Sequence, residues 1–216
     1  MARRTVTTAA VAFTATATLL LTACGGGGDD SSKGIKGADT GSGTPSASAS
    51  KADSDAPDLS LPDDLHLVFD FAKPSDSQHA AALDTATDYI RALKHGIVKQ
   101  NPDDPAYQYY SVGAAAKYAK SQIQAWVDGG WTPTGTDKYY DAETAKVGST
   151  GVLVTFCRNQ AKSFSKKIKT GKTHYTKESL DSYQKFSILM RPLSDSAQAW
   201  KAQQIEVQGR VKECQG

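Results

Sequence analysis

The sequence is poor in the residues that bind metals or carry redox chemistry. It has three cysteines and four histidines in 216 residues, with no Cys-x-x-Cys arrangement. His66, His79, His95 and His174 are scattered, without the spacing of zinc ligands. Thiol redox motifs typically use two closely spaced cysteines. We therefore predict no bound metal and no cofactor.

The chain also lacks the glycine patterns of nucleotide and hydrolase sites. Thr170-Gly171-Lys172-Thr173 contains a Gly-Lys-Thr triplet, but a phosphate loop needs another glycine where Lys166 stands. Gly148-Ser149-Thr150-Gly151 is not the Gly-x-Ser-x-Gly turn that carries a hydrolase nucleophile. The first segment is interpreted as a hairpin turn. These patterns assign no catalytic residue.

A surplus of one charge is missing as well. Residues 1–23 contain Arg3 and Arg4 and no acid, so the rest of the chain has 23 basic and 23 acidic residues. Domains that bind nucleic acids usually carry a clear positive balance. No nucleic acid partner is expected.

The N-terminus has the three parts of a signal peptide: Arg3 and Arg4, a short apolar stretch, and small residues. Leu21-Thr22-Ala23-Cys24 resembles the lipobox of bacterial lipoproteins, which implies cleavage before Cys24 and a diacylglycerol on its thiol. The alternative is a plain secretory signal that contains a cysteine. Ala2-Arg3-Arg4-Thr5-Val6 is a poor twin-arginine match, so the export route stays open.

The predicted domains follow from composition. Residues 1–23 are the signal peptide, and 24–61 are the lipidated cysteine and a tether of Gly, Ser, Ala, Thr, Asp and Lys. Such a segment buries too little apolar surface to order itself, and it would reach roughly 30 to 35 Å. Residues 62–216 form one domain, and apolar alternation over 65–71 predicts a strand or extended segment at its entry.

Two cysteines remain if Cys24 is acylated. Outside the cytoplasm, a pair such as Cys157 and Cys214 usually forms a disulfide. Closing a loop of this length would stabilise the fold by roughly 4 kcal/mol in the chain-entropy model. The alternative is two free, buried thiols.

The domain begins with helices and continues with strands. Ser75-Asp76-Ser77-Gln78 has the form of a capping box, and apolar residues then recur at helical spacing up to Asn101-Pro102. Asp104-Pro105 predicts the start of a second, short helix, and Gly129-Gly130 the end of a third. After Trp131 the period alternates, with strand segments around 138–147, 151–157, 164–169, 183–191 and 200–214. We predict an α+β fold, with the helices on one face of an antiparallel sheet.

Scattered landmarks along residues 62–216 carry a resemblance. They are Ala106-Tyr107-Gln108-Tyr109-Tyr110, Thr134-Gly135, Phe156-Cys157-Arg158-Asn159, Tyr183, Trp200-Lys201 and Cys214. In this order the chain resembles small secreted actinobacterial lipoproteins of unknown function, whose domain is similar to the nuclear transport factor 2-like, cystatin-like cone. The resemblance implies a curved, cone-like sheet. That superfamily includes isomerases, dehydratases, transport adaptors and domains without a known ligand.

One segment points to a class of partner. Between positions 158 and 177 the chain has no acidic residue and seven basic ones. The predicted contacts with an anionic surface are Arg158, Lys162, Lys166, Lys167, Lys169 and Lys172. Each basic residue near anionic lipid can add about 1 kcal/mol of attraction. The alternative is a solvated hairpin whose lysines protect a sheet edge.

These observations favour a non-enzymatic lipoprotein on the outer face of the cytoplasmic membrane. Its domain would bind a ligand or another envelope protein, and its basic segment an anionic lipid or wall polymer. The alternatives are an isomerase- or dehydratase-like enzyme, with an acid or histidine beside a tyrosine inside the cone, and a structural spacer. Catalysis therefore stays undecided.

Replacing the acyl acceptor tests the anchor. With Cys24→Ala, we expect the signal to stay uncleaved or the protein to be released, because no thiol remains to carry the lipid. Cell fractionation and the mass of the N-terminal peptide measure this. Equal membrane retention with an unchanged N-terminal mass would contradict lipidation.

Overall fold

The computed structural model describes residues 56–193 and 199–215. Within them the helices are α1 (Ser77–Val98), α2 (Pro105–Tyr110) and α3 (Gly113–Gly129). The strands are β1 (Leu65–Asp70), β2 (Trp131–Val147), β3 (Gly151–Lys167), β4 (Thr173–His174), β5 (Tyr183–Pro192) and β6 (Trp200–Gly209). Short 3₁₀ turns cover Leu180–Ser182 and Lys212–Gln215. The predicted signal peptide, Cys24 and most of the predicted tether lie outside the described residues.

The strands form one curved sheet with the helices on one face. Its order is β1-β2-β3-β5-β6, and β4 pairs with β3. This arrangement confirms the predicted α+β class. The sheet is antiparallel except that β1 runs parallel to β2. All three helices lie between β1 and β2 in the chain, so the connection is a crossover rather than a hairpin.

Aspartates start the first two helices. Asp104 caps α2 and Pro105 follows it at the first helical position, as predicted. For α1 the prediction of a capping box starting at Ser75 is wrong by one residue. The side chain of Asp76 accepts hydrogen bonds from the backbone N–H groups of Gln78 and His79, at 2.8 and 3.0 Å. The positive end of the helix dipole also stabilises a carboxylate at this position.

The core lies between the helices and the sheet. Alternate residues of the central strands point toward the helices, and they meet the apolar stripe of α1 together with parts of α2 and α3. The buried residues that β2, β3 and β5 contribute to this core include Tyr139, Val152, Val154, Phe156, Phe186, Ile188 and Met190. The rings of Phe156 and Phe186 stack at 5.3 Å between centroids.

A bulge interrupts β3 where the sequence predicted a break between two strands. The register with β2 shifts between the pairs Thr136–Lys162 and Lys138–Asn159, so β3 carries an extra residue there. The Asn159 side chain accepts a hydrogen bond from the N–H of Ala161 at 2.8 Å, which satisfies part of the irregular backbone. A bulge bends the strand and redirects its side chains. The strand therefore continues as one element.

Gly135 makes the close approach of β2 and β3 possible. Its φ is +90°, and a Cβ atom there would lie 2.2 Å from the carbonyl oxygen of Lys162. Only glycine tolerates both conditions. This fixes the backbone two residues before Asp137, which lies in the interior.

The disulfide lies on the face of the sheet away from the helices. Cys157 alternates with the inward-facing Phe156 and is bonded to Cys214, with 5.4 Å between their Cα atoms. Around the bond, Tyr183 is buried and Tyr140 packs beside it, and the Tyr140 hydroxyl donates to the carbonyl oxygen of Cys214. The predicted pairing is present, and it ties the chain end to β3.

Removing both cysteines tests the contribution of this bond. For Cys157→Ala with Cys214→Ala, we expect the free energy of unfolding to fall by about 4 kcal/mol, because the unfolded chain regains the entropy of an open loop. Urea unfolding measures it, and reduced wild-type protein is the matched control. Equal unfolding midpoints for the double variant, the reduced wild type and the oxidised wild type would contradict the prediction.

Candidate functional site

Three charged side chains and a glutamine form a cluster in the interior, between α1 and the sheet. This interior charge cluster consists of Lys94 on α1, Asp137 on β2, Arg158 on β3 and Gln184 on β5. The Asp137 carboxylate is fully buried and accepts a bond from the Lys94 ammonium at 2.7 Å. Arg158 donates from Nη2 to both carboxylate oxygens, at 2.7 and 2.8 Å, and from Nη1 to Gln184 Oε1 at 2.9 Å.

Charge interactions control protonation in this cluster. Burial by itself raises the pKa of the Asp137 carboxyl, but Arg158 and Lys94 outweigh it and lower that pKa to about 2. Burial, reinforced by the Arg158 charge, lowers the pKa of the Lys94 ammonium. Burial and the Asp137 charge together raise the pKa of the neighbouring Tyr139 phenol. At neutral pH the carboxylate is therefore ionised and the phenol is neutral.

Asp137 of the cluster and the neighbouring Tyr139 are the residue types that the enzyme hypothesis required, in an arrangement unsuited to proton transfer. Asp137 and Tyr139 lie side by side in the interior, as an acid and a tyrosine of an isomerase-like site would. A general base works best with a pKa near the working pH. Asp137 has a pKa of about 2 and both oxygens bound to cations. It is a poor proton acceptor here.

Sequence reasoning missed Lys94, Asp137 and Gln184. A signal for Lys94 is present, because it follows Ile90 by four positions and precedes Ile97 by three, which places it on the buried stripe of α1. A lysine at such a position needs a buried partner. Asp137 has a weaker signal, since it stands two residues before the inward-facing Tyr139.

Arg158 corrects the predicted set of surface contacts. It was grouped with the lysines that follow it, but its side chain is nearly buried and is bonded to Asp137 and Gln184. The reason is strand alternation, since Arg158 faces the same side of β3 as Phe156. Of the predicted contacts with an anionic surface, only the five lysines therefore remain.

The lysines lie on the basic hairpin, which we define as residues 162–177: the end of β3, the turn, β4 and the residues after it. Lys162, Lys169, Lys172 and Lys177 are exposed and form no salt bridge with any described residue. The other two predicted lysines have partners within the domain. Lys166 pairs with Asp64, and Lys167 Nζ donates to the Gly129 carbonyl oxygen at 2.6 Å.

Apolar side chains accompany these charges. Ile168, in the turn, is 49% exposed, and Tyr175 is 74% exposed. A cleft of about 550 Å³ lies between the turn and the ends of α1 and α3. We call it the hairpin cleft; it is lined by Gln100, Val127, Asp128, Gly129, Gly130, Lys167, Ile168, Lys169 and Thr170.

Two further cavities are more polar. One of about 720 Å³ lies beside the disulfide on the outer face, where Asp70, Asp141, Glu143 and Glu213 share the lining with two lysines. Another of about 410 Å³ lies between β3 and the segment 174–182. Among the residues that the structure describes, no three His, Cys, Asp or Glu side chains gather as a metal site. No helix in the same ranges is long and apolar enough to cross a membrane.

Comparison with known proteins finds solved structures with a similar fold and low sequence identity. Neither a protein-family model nor a curated protein matches the sequence. A ketosteroid isomerase-like protein from Erwinia carotovora atroseptica is similar in structure, with 12% identity and a TM-score of 0.42 over 61% of this chain and 95% of that one. The intermembrane space region of the chloroplast protein ARC6 is similar with 11% identity and a TM-score of 0.39, over 63% and 99% of the two chains.

The interior charge cluster predicts a specific loss of stability. With Asp137→Asn, two buried cations lose their counter-charge, and we expect the free energy of unfolding to fall by about 3 to 5 kcal/mol. Lys94→Met is the matched control, because it removes one cation and leaves the Arg158–Asp137 pair. It should cost much less. Urea unfolding at neutral pH measures both free energies of unfolding. Equal losses of stability in the two variants would contradict the role of Asp137 as the shared counter-charge.

Acid should weaken the wild-type protein through the same carboxylate. The pKa of Asp137 is about 2 in the folded protein, against an ordinary value of 3.8 for an aspartate. A lowered folded pKa gives stability that is present above the unfolded value and lost as the pH falls toward the folded one. We expect a loss of about 2 kcal/mol between pH 5 and pH 2 that Asp137→Asn does not show. Parallel pH profiles for the two proteins would contradict this.

Proposed function

We propose that the protein is a lipid-anchored, non-enzymatic binding protein on the outer face of the cytoplasmic membrane, and that its basic hairpin contacts an anionic surface. The observation that carries the proposal is the group of exposed lysines without a salt-bridge partner among the described residues. Paired surface charges would already be compensated. Unpaired ones are available to an external anion.

The contacts of Asp64 support the proposal that the basic hairpin can face the membrane. Asp64, directly before β1, pairs with Lys166, and its backbone carbonyl oxygen accepts from the N–H of Gly135 at 2.7 Å. The chain therefore passes the base of the basic hairpin at Asp64. A lipid on Cys24 would keep the domain within the reach of its tether from the membrane, so that the basic hairpin could meet it.

The interior favours binding over catalysis. Asp137 has its oxygens bound to Lys94 and Arg158, so the acid that an isomerase-like mechanism would use is already neutralised by cations. The same contacts join α1 to three strands. We assign the cluster to folding, and the binding to the surface.

Charge reversal tests the proposed function. The protein used is the chain from position 24 with Cys24→Ala, mixed with vesicles of phosphatidylcholine and phosphatidylglycerol. Changing Lys162, Lys169 and Lys172 to Glu should weaken binding about a hundredfold or more, since each lysine contributes about 1 kcal/mol. Added salt should weaken wild-type binding too. Vesicle sedimentation measures both effects.

A matched control keeps the net charge change equal. Lys117, Lys146 and Lys212 are also exposed and form no salt bridge within the described ranges. Changing these three to Glu should leave most of the binding intact. Equal losses for both triple variants would show that net charge alone matters and would contradict the role of the basic hairpin.

A further inference from the structure

The turn of the basic hairpin carries an apolar group among its charges. Ile168 stands between Lys167 and Lys169 and is about half exposed, at 49%. Beside it the hairpin cleft continues the apolar surface to Val127 on α3. A turn that only protects a sheet edge needs charge and gains nothing from an exposed isoleucine.

The domain holds this turn in place. The Ile168 N–H donates to the carbonyl oxygen of Gly130 at 3.1 Å, and the N–H of Gly171 donates to that of Lys167 at 2.8 Å. The Lys167 ammonium lies 4.0 Å from the centre of the Trp131 ring. Ile168 is therefore displayed from a turn fixed to the end of α3, and it has little freedom to fold back onto the domain.

The charges around the cleft are mainly positive. Lys167 and Lys169 line it, and Lys172 is exposed in the same turn. The acid in the lining is Asp128, which accepts a hydrogen bond from Gln124 at 2.7 Å. An apolar patch with a cationic rim suits an amphiphile that has an anionic head and a hydrocarbon tail.

A second exposed apolar side chain on the basic hairpin, that of Tyr175, also suits a membrane surface. Tyr175, 74% exposed, packs edge-on against Phe164 with 4.9 Å between ring centroids. Tyrosine is enriched where hydrocarbon meets headgroups, because its ring is apolar and its hydroxyl is polar. A sugar phosphate polymer offers anions but no hydrocarbon, so it would leave Ile168 and the cleft unused.

We propose, resting on the function proposed above, that the anionic surface is a phospholipid bilayer, and that Ile168 and the hairpin cleft enter its hydrocarbon boundary while the lysines contact headgroup phosphates. The domain would thus have a second attachment to the membrane, in addition to the lipid on Cys24. Its contacts are both apolar and ionic.

The experiment separates the apolar contact from the ionic one. The chain from position 24 with Cys24→Ala is titrated with phosphatidylglycerol-containing vesicles and, separately, with a soluble glycerol phosphate polymer that lacks acyl chains. Ile168→Ser should weaken vesicle binding about tenfold, because half of an isoleucine side chain is no longer buried in hydrocarbon. Polymer binding should not change. Ile168→Leu should bind vesicles like the wild type.

Val112→Ser is the matched control, because Val112 is 41% exposed at the opposite end of α3. Serine there is also a favourable helix cap, so the variant stays folded and should bind vesicles normally. Unchanged vesicle binding by Ile168→Ser, or equal losses on vesicles and polymer, would overturn the inference. So would wild-type protein that binds the polymer as tightly as the vesicles. Binding of neither would instead contradict the proposed function itself.

Discussion

The contact on which the domain depends is the buried bond between Asp137 and its two cations. Lys94 reaches it from α1, Arg158 from β3, and Gln184 on β5 holds the far side of the Arg158 guanidinium. A buried ionic group is costly unless all its partners are in place. The cluster therefore favours one position of the helix on the sheet, which apolar packing alone would define less strictly.

The same contact limits the chemistry that is open to the interior. An acid and a phenol lie together under the helices, but two cations hold the acid ionised and occupy both its oxygens. Chemistry of the isomerase kind needs a carboxylate that changes protonation during turnover. A carboxylate bonded to two cations in this way is poorly suited to that role.

The basic hairpin is an exposed surface that the rest of the domain holds in place. It extends from the long strand β3, is fixed to the end of α3 through the Gly129 and Gly130 carbonyl groups, and is paired with Asp64 directly before β1. Rigid attachment matters, because a turn that is already ordered loses little entropy on binding. The lysines and Ile168 can then act together as one contact surface.

The sequence by itself determined the local features: the helix start at Asp104-Pro105, the change to alternating strands after Trp131, the Cys157–Cys214 pair and the positive charge of the segment 158–177. Each depends on neighbouring residues or on elimination. Tertiary structure alone decided that Arg158 is buried while Lys169 is exposed, that β1 lies parallel to β2, and that Lys94 meets Asp137. The reason is physical. Arg158 shares the inward face of β3 with Phe156, whereas Lys169 lies in the turn beyond that strand. A buried charge is recognised only when its distant partners are brought to within 3 Å of it.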